Sequence, residues 1–406
     1  MRKVLGIIAE YNPFHNGHLY HLEESKRQAN AEFSVCVMSG NFTQRGNTAI
    51  VDKWSRARMA IESGVDLVIE LPLIYSISSA ENFAFGSMSI LNKLGIVDAV
   101  SFGSETGDVS ILNAFAEILY DEPKEYLSLL EHELAKGVSY AKAREKAILM
   151  YLSDIRKYAN VLSNPNNILG IEYLKALKYL KSEIKPLTIK REDVGHNSTK
   201  IVNGIASSST IRKYINKPDV LSQVVPESTF SILDEKLKHG QIVRSIACFE
   251  KEILYKLRTM SIEEIANLPD VSEGLENCIK SAANSCNNIT DLIGLIKSKR
   301  YAQTRIQRIL LYALLDINKQ DMASSKKNSP YIRVLGINNN GKKILSEIAN
   351  PRLNIITSPK KFLEQSGNKA LKNMLLKDIN ATNIYTLGYE YNSTSNQDYT
   401  TPIVSI

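Results

Sequence analysis

The sequence predicts an α/β protein: a doubly wound parallel sheet in the N-terminal half, a helical region after it, and a small α/β unit at the C-terminus. Three observations predict it. Short apolar runs with little polar alternation recur through the first 190 residues, as strands buried on both faces require. Helical stretches separate these runs, which is the alternation of a parallel sheet. The polar segments Glu10–His18, Ser39–Asn47 and Gly103–Thr106 all fall where a run ends, and ligands of such sheets sit beyond the carboxyl ends of the strands.

Taken in order, Val4–Ala9 reads as the first strand, followed by a loop over Glu10–Asn16 and a helix over Gly17–Ala29. Phe33–Met38 is the second strand and Ser39–Asn47 a polar loop. Lys53–Ser63 is helical, with Trp54, Ala57, Met59 and Ile61 as core candidates. Asp66–Leu71 is the third strand, Ser87–Leu94 a helix, Ala99–Phe102 a fourth strand ending at Gly103, and Ile184–Lys190 a fifth. Residues 110–180 are helix-rich and read as an insertion in a domain spanning 1–220. A helical domain is expected over 221–320, with no strand pattern. Met322–Pro330, MASSKKNSP, reads as a polar linker into a small C-terminal α/β domain over 321–406, marked by YIRVLGIN, LNIITS and NIYTLGY.

A chain of 406 residues exceeds one ordinary domain, and its 44% hydrophobic and 23% charged residues are normal for a globular protein. No apolar run reaches the roughly 18 residues of a membrane span, so no membrane partner is expected. The start, MRKVLGIIAEYNP, has no small-residue cleavage site and reads as a strand, not a signal peptide. Cys36, Cys248, Cys278 and Cys286 show neither CxxC pairing nor zinc spacing, as expected for reduced thiols of a cytoplasmic protein. The net charge of +7 permits nucleic-acid binding without requiring it. No protein partner is evident.

The segment HNGH, His15–His18, opens the first helix and admits three readings: a metal site, a phosphate site, or a crowded turn. With about 100° per residue on a helix, His18 lies near His15, but His21 points roughly 240° away. No Cys or Glu cluster supplies further ligands, so no metal ligand is assigned. A helix start offers free N–H groups, Gly17 allows close approach of an anion, and two imidazoles add donors. Some two hundred residues later, Ala206-Ser207-Ser208-Ser209-Thr210-Ile211-Arg212 offers three hydroxyls and a guanidinium. A helix N-cap explains one of those serines; phosphate contact uses all of them. There is no GxxxxGK[ST], and no GxSxG or Cys–His arrangement demands a covalent intermediate.

This pair of motifs resembles the HxGH nucleotidylyltransferase signature, (H/T)xGH early and ISSTxIR late, on a Rossmann-like fold. Ala206 stands where the pattern has Ile, and Ser209 where it has Thr. AEYNPFHNGHLYHL, VMSGNFTQRGNTAIVDKWSRARMA, DLVIELP, SFGSE, SNPNNILGIEY and KRYAQTRIQRIL follow in order and closely resemble the bacterial tRNA(Met) cytidine acetate ligase family over residues 1–315. The resemblance implies a ligase that joins ATP and acetate into acetyl-adenylate, releasing pyrophosphate. It then acetylates N4 of the wobble cytidine, C34, of elongator tRNA(Met). ATP is the implied nucleotide, and magnesium is expected with it. The resemblance maps catalysis onto His15, His18 and Arg212. It maps ATP binding onto Ile7, Ile8, Ala9, Glu10, Tyr11, Asn12, Pro13, Phe14, His15, Asn16, Gly17, His18, Leu19 and Tyr20. Gly103, Asn167, Arg191 or its neighbour Lys190, and Ser207, Ser208, Ser209 and Arg212 join that set. By their residue types alone, Gly103 also reads as a turn glycine, Asn167 as a helix cap and Lys190–Arg191 as a solvated charge cluster.

Arg45 and Lys53, in the polar segment Ser39–Lys53, are candidates to reach phosphate, acetate or RNA, and the segment itself is a candidate lid. Asp66 and Glu70 flank the third strand and are expected to be structural. The single-sign segment KSKRYAQTRIQR carries Lys297, Lys299, Arg300, Tyr301, Arg305 and Arg308, and with the resemblance it is the expected tRNA contact. Two other functions compete: a small-molecule adenylyltransferase of a cofactor pathway, which has no need of the basic helical region, and a non-catalytic RNA-binding protein.

Overall fold

Eight strands form one mixed sheet in the computed structural model, which describes residues 2–138, 140–153, 158–191, 201, 204–272, 274–298, 301–348 and 353–406. The N-terminal strands are β1 (Val4–Ala9), β2 (Phe33–Ser39), β5 (Leu67–Leu71), β6 (Ala99–Ser104) and β7 (Lys185–Lys190). A separate hairpin, β3 (Phe42–Thr43) with β4 (Asn47–Thr48), lies inside the segment expected as plain loop. The sheet order is β10-β8-β5-β2-β1-β6-β7, with β9 (Ile355–Ile356) beside β8 (Ile332–Ile337) and β10 (Val404–Ser405) at one edge. β1 pairs in parallel with β2 on one side, from Val4 opposite Phe33 to Ala9 opposite Met38, and with β6 on the other. The chain therefore winds outward through β2 and β5 and returns to β6 across β1. That reversal opens a crevice at the carboxyl end of β1, where open α/β sheets take their ligands.

Helices cover both faces. On one lie α1 (Asn16–Ala29) and α2 (Lys53–Glu62), where Leu22, Trp54, Ala57, Met59 and Ile61 pack with Leu5, Ile7, Cys36 and Met38. On the other lie α3 (Leu73–Ser76), α4 (Ala80–Leu94) and the insertion, α5 (Val109–Asp121), α6 (Lys124–Ala135), α7 (Tyr140–Leu152) and α8 (Pro165–Tyr179). α4 starts seven residues before the expected Ser87, because Ser79 caps it by accepting from the Asn82 N–H. α9 (Ser208–Lys213), α10 (Pro218–Val224) and α11 (Glu227–Lys238) return to the α1 face.

The helical region comprises α12 (Glu250–Thr259), α13 (Ile262–Ala266), α14 (Leu275–Ser285), α15 (Ile289–Ile296) and α16 (Gln303–Leu314). Its core of Ile253, Leu257, Ile279, Leu292 and Ile306 is continuous with that under α4. The expected linker is instead a helix, α17 (Lys319–Lys327). Asn318 caps it, accepting from the N–H groups of Gln320 and Asp321 at 2.9 and 3.0 Å, while the Asp321 carboxylate accepts from Asn318 N–H at 3.0 Å. Local capping outweighs the polar composition that suggested a linker.

The C-terminal segment does hold strands and helices, α18 (Asn339–Glu347), α19 (Pro359–Gln365), α20 (Lys369–Tyr385) and α21 (Gln397–Thr400), but not as a unit of its own. β8 joins the central sheet antiparallel to β5, and β9 and β10 follow β8. The start of NIYTLGY, read with the strands of that unit, is the end of α20. There Tyr385 is buried and its hydroxyl donates to the Ala49 carbonyl at 2.8 Å. Among the described residues no helix is long and apolar enough to cross a membrane.

Candidate active site

The carboxyl end of β1 runs straight into the start of α1, and the site is built on that junction. His15 is the N-cap of α1 in extended conformation, and its carbonyl accepts from the N–H groups of His18 and Leu19 at 2.8 and 3.1 Å. Its side chain makes no cap and turns to the far motif, sharing a hydrogen bond of 3.0 Å between Nε2 and the Ser208 hydroxyl. The His15 and His18 rings stack with centroids 3.6 Å apart. Tyr11 and Phe14 meet the His18 ring at 4.9 and 5.7 Å and fix its orientation. The Nδ1 atoms of both histidines are buried without a partner among the described residues. Such atoms are costly unless something outside the chain satisfies them. Gly17 makes the arrangement possible, because a Cβ there would come within 3.1 Å of the His15 ring.

Two ties hold the early and late motifs together. The Asn16 amide donates to the carbonyls of Gly204 and Gln223 at 3.0 and 3.1 Å. The Arg212 guanidinium donates to the Asn12 carbonyl at 2.8 Å. Ser207 caps α9, accepting from Thr210 N–H at 3.2 Å, and shares hydroxyl bonds of 2.9 Å with Ser209 and with Thr210. The cap reading thus holds for Ser207, while Ser208 faces His15. Ala206 is buried in the apolar core, so the departure at that position costs no polar contact.

Burial, reinforced by the charges of Arg191 and Arg212, pushes the His15 imidazole down to about 3. Burial, with His15, Arg191 and His21, holds His18 well below the usual range. His21, against Ser101 at 3.3 Å, is pushed to about 4 by burial and Arg191. All three rings are neutral at pH 7, each with one N–H to donate. A depressed histidine binds fewer protons folded than unfolded. Its contribution to stability is therefore present above the unfolded value and is lost as pH falls below it. Replacing His15 with Gln removes that term. We expect the stability lost between about pH 7 and about pH 5 in urea titrations to be smaller in the variant by about 2 kcal/mol. Equal losses would show that the ring titrates normally.

The remaining expected residues separate into groups. Ile7 is buried in the strand, while Ile8, Ala9 and Glu10 become half-exposed as β1 ends. Tyr11, Asn12, Pro13 and Phe14 line the turn. There the Asn12 amide donates to the Thr48 carbonyl at 3.1 Å and its oxygen accepts from Ile50 N–H at 2.7 Å. Leu19 is half-buried, and Tyr20 points to solvent. Of Lys190 and Arg191, the structure brings Arg191 to the site: its side chain lies over Gly103, where a Cβ would be 3.2 Å from Arg191 Cγ. Lys190 packs instead against Gly107.

Asn167 is fully buried and its side chain is spent on the chain itself. Its oxygen accepts from Glu105 N–H, Thr106 N–H and the Thr106 hydroxyl at 3.0, 3.1 and 3.0 Å, and its amide donates to the Val161 carbonyl at 3.2 Å. It shapes the loop after β6. Arg45, exposed on the β3–β4 turn, carries a charge felt by both Arg191 and Arg212. Lys53 does not reach the site; it is buried against Glu70 and Asp398 at 2.9 and 2.7 Å. Glu70 is structural, as expected, and so is Asp66, which accepts from Ser34 N–H at 2.8 Å.

The basic segment is not one helix. Lys297 follows the end of α15, Lys299 and Arg300 lie outside the described residues, and Tyr301 precedes α16. Arg305 donates to the Asp270 carbonyl at 2.9 and 2.6 Å and stacks over Tyr301 at 5.1 Å. Arg308 pairs with the Asp270 carboxylate at 2.9 Å. The hairpin turn seats directly on this helix: Gly46 has φ +75°, and a Cβ there would lie 2.5 Å from the backbone nitrogen of Arg308. The loop after β2 and α16 are thereby joined.

One residue went unnoticed. Arg56 is fully buried and donates to the carbonyls of Val51, Glu10 and Ser39 at 3.1, 2.6 and 3.1 Å, and to that of Gly40. It clamps the ends of β1 and β2 together. Its position in the helix KWSRARMA gave no signal, because its partners are main-chain groups.

The HIGH Nucleotidyl Transferase family model matches residues 2–400. The tRNA(Met) cytidine acetate ligase of Caldanaerobacter subterraneus subsp. tengcongensis is 46% identical over 407 residues, covering 100% of both chains. That of Acetivibrio thermocellus is 46% identical over 397 residues, covering 96% of this chain and 95% of the relative. The apo crystal structure of Thermotoga maritima TmcAL superposes with a TM-score of 0.94 at 32% identity, covering 100% of this chain and 99% of that one. The same protein bound with alpha-thio ATP gives 0.92 at 33% identity, with the same coverage. The stacked histidines, the late serine–arginine motif and these likenesses over the whole chain agree: it belongs to the HIGH nucleotidyl transferase family and, within it, to the tRNA(Met) cytidine acetate ligases.

Proposed function

We propose that this chain is an ATP-dependent ligase that acetylates a cytidine of tRNA(Met) from acetate through an enzyme-bound acetyl-adenylate. One observation carries the reading: two neutral, stacked imidazoles at the end of β1, their Nδ1 atoms unpartnered among the described residues, held against Ser208 of the late motif. An acetate oxygen attacks the α-phosphorus, the new P–O bond forms, and the bond to pyrophosphate breaks. Charge grows on the phosphoryl oxygens and on the leaving group, and preorganised donors lower that barrier. His15 and His18 each donate one N–H there. Arg191 and Arg212 supply positive charge, and Arg212 is fixed in place by the Asn12 carbonyl. Among the described residues no group of three His, Cys, Asp or Glu side chains could hold a metal ion. Magnesium accompanying ATP would then be held mainly by phosphate oxygens and water.

The polymer is elongator tRNA(Met) and the acceptor its wobble cytidine, C34. The seating of the β3–β4 turn on α16 supports this, since it sets the helix of Arg305 and Arg308 against the loop that follows β2. Radiolabelled acetate, ATP and a tRNA(Met) transcript test the reading. Label is expected to enter the RNA only with ATP present, and transfer from acetyl-CoA in place of ATP and acetate would overturn it.

Arg305 and Arg308 are already engaged by the Asp270 carbonyl and carboxylate, so among the described residues Lys297 is the freer cation of that stretch. Among the described residues its ammonium reaches one acceptor, Gln303, at 3.4 Å. We expect Lys297→Ala to weaken tRNA binding and to reduce the slope of log affinity against log salt by about 1, with ATP–pyrophosphate exchange unchanged. An unchanged slope would place the RNA elsewhere.

A further inference from the structure

The acyl transfer needs a base, because the attacking cytidine nitrogen must lose a proton as it becomes an amide; His15 and His18 are used as donors to phosphate, and burial with nearby guanidinium charge makes both poor proton acceptors. We propose that Glu10 is the general base that takes this proton. The inference rests on the acetate-ligase reading above.

The carboxylates at the ends of the strands carry the argument. Glu105, after β6, spends one oxygen on the Asn166 amide at 2.7 Å and the other on Asn167 N–H at 2.9 Å. Glu70, in β5, is occupied by Lys53 at 2.9 Å and Arg333 at 3.0 Å. Glu10, the first residue past β1, accepts from Gln44 N–H at 2.7 Å through Oε1, while Oε2 has no hydrogen-bond partner among the described residues. Of the three, Glu10 alone keeps a free oxygen, and it is only half-buried, at the mouth of the crevice.

Its position is fixed from two sides. The hairpin holds the carboxylate, and Arg56 holds the Glu10 carbonyl at 2.6 Å. Ser39 stands level with it on β2, one residue past the Ala9–Met38 pair, and its hydroxyl is also buried without a partner among the described residues. The carboxylate charge is felt by Arg212 and by the buried Tyr173. A negative group beside a triphosphate opposes nucleotide binding. The arrangement makes sense if that group serves the second substrate.

In the step, the cytidine N4 lone pair attacks the acetyl carbonyl carbon and the N–C bond forms. The nitrogen becomes cationic and strongly acidic, and Glu10 Oε2 removes one proton. The carbon–oxygen bond to AMP then breaks, and the electron pair leaves on the phosphate oxygen, facing Arg212 and the histidines. Glu10 returns its proton to water, and no other reactant is needed.

Glu10→Gln tests this, because the amide oxygen can still accept from Gln44. The readouts are acetate-dependent ATP–pyrophosphate exchange, trapping of acetyl-adenylate by hydroxylamine, which needs no enzymic base, and single-turnover transfer to tRNA(Met). Transfer is expected to fall at least about 10²-fold more than exchange or trapping, with partial recovery in Glu10→Asp. Equal falls in all three, or unchanged transfer, would overturn the proposal. Failure of the wild-type protein to acetylate the RNA would overturn the underlying reading instead.

Discussion

His18→Ala is expected to lower acetate-dependent ATP–pyrophosphate exchange by about 10²- to 10³-fold, the usual cost of removing one preorganised donor to a developing oxyanion. The loss should fall on kcat more than on the KM for ATP, because the donor acts on charge that grows in the transition state. Binding of tRNA(Met) should stay within about twofold, since His18 lies at the end of β1 and not on the basic segment. The structure adds a reason to expect a clean result. His18 is half-exposed and packed edge-on by Tyr11, and its Nδ1 has no partner among the described residues, so truncation breaks no hydrogen bond described there. His18→Gln, which keeps a donor but not the ring, should recover part of the rate. Unchanged turnover in His18→Ala would remove the ring from catalysis.

What could be read from the sequence was what local chemistry encodes. β1 and the start of α1 were placed within a residue, because an apolar run, a polar turn and a helix start follow one another there. The pairing of His15 with the serine motif some 190 residues away was legible only because both ends carry the same unusual chemistry, donors suited to phosphate. Long-range partners left no such trace. β8 joins the sheet beside β5 although some 260 residues separate them, and the antiparallel pairing leaves no mark in either strand's apolar pattern. Arg305 and Arg308 read as free cations because Asp270, whose carbonyl engages the first and whose carboxylate neutralises the second, lies 35 and 38 residues upstream. Lys53 was misplaced for the same reason, since Asp398 is 345 residues away.

That misplaced lysine sets the second large effect, Lys53→Met, which is expected to destabilise the fold by about 3–5 kcal/mol. Lys53 is fully buried at the start of α2. Its ammonium donates to both oxygens of Glu70 at 2.9 and 3.1 Å and to Asp398 at 2.7 Å. Arg333 of β8 meets the same two carboxylates, Glu70 at 3.0 Å and Asp398 in a hydrogen-bonded pair. Two cations thus balance two anions where β5, β8 and α21 converge. Beside them, burial and the charge of Glu70 push the Asp378 carboxyl up to about 7, while Tyr331 and Leu73 N–H hydrogen-bond to it. Methionine is close in volume, so the loss comes from charge and not from a cavity. One guanidinium would be left facing two carboxylates in low dielectric. The check is a urea midpoint at constant slope, with a double-mutant cycle beside it. Lys53→Met combined with Asp398→Asn removes one charge of each sign and leaves the Arg333–Glu70 pair. The double variant should therefore be less destabilised than the sum of the single changes, by about 1–3 kcal/mol. Strict additivity would mean that the two charges do not sense each other, and that the C-terminal segment is held to the sheet by β8 pairing and apolar packing alone.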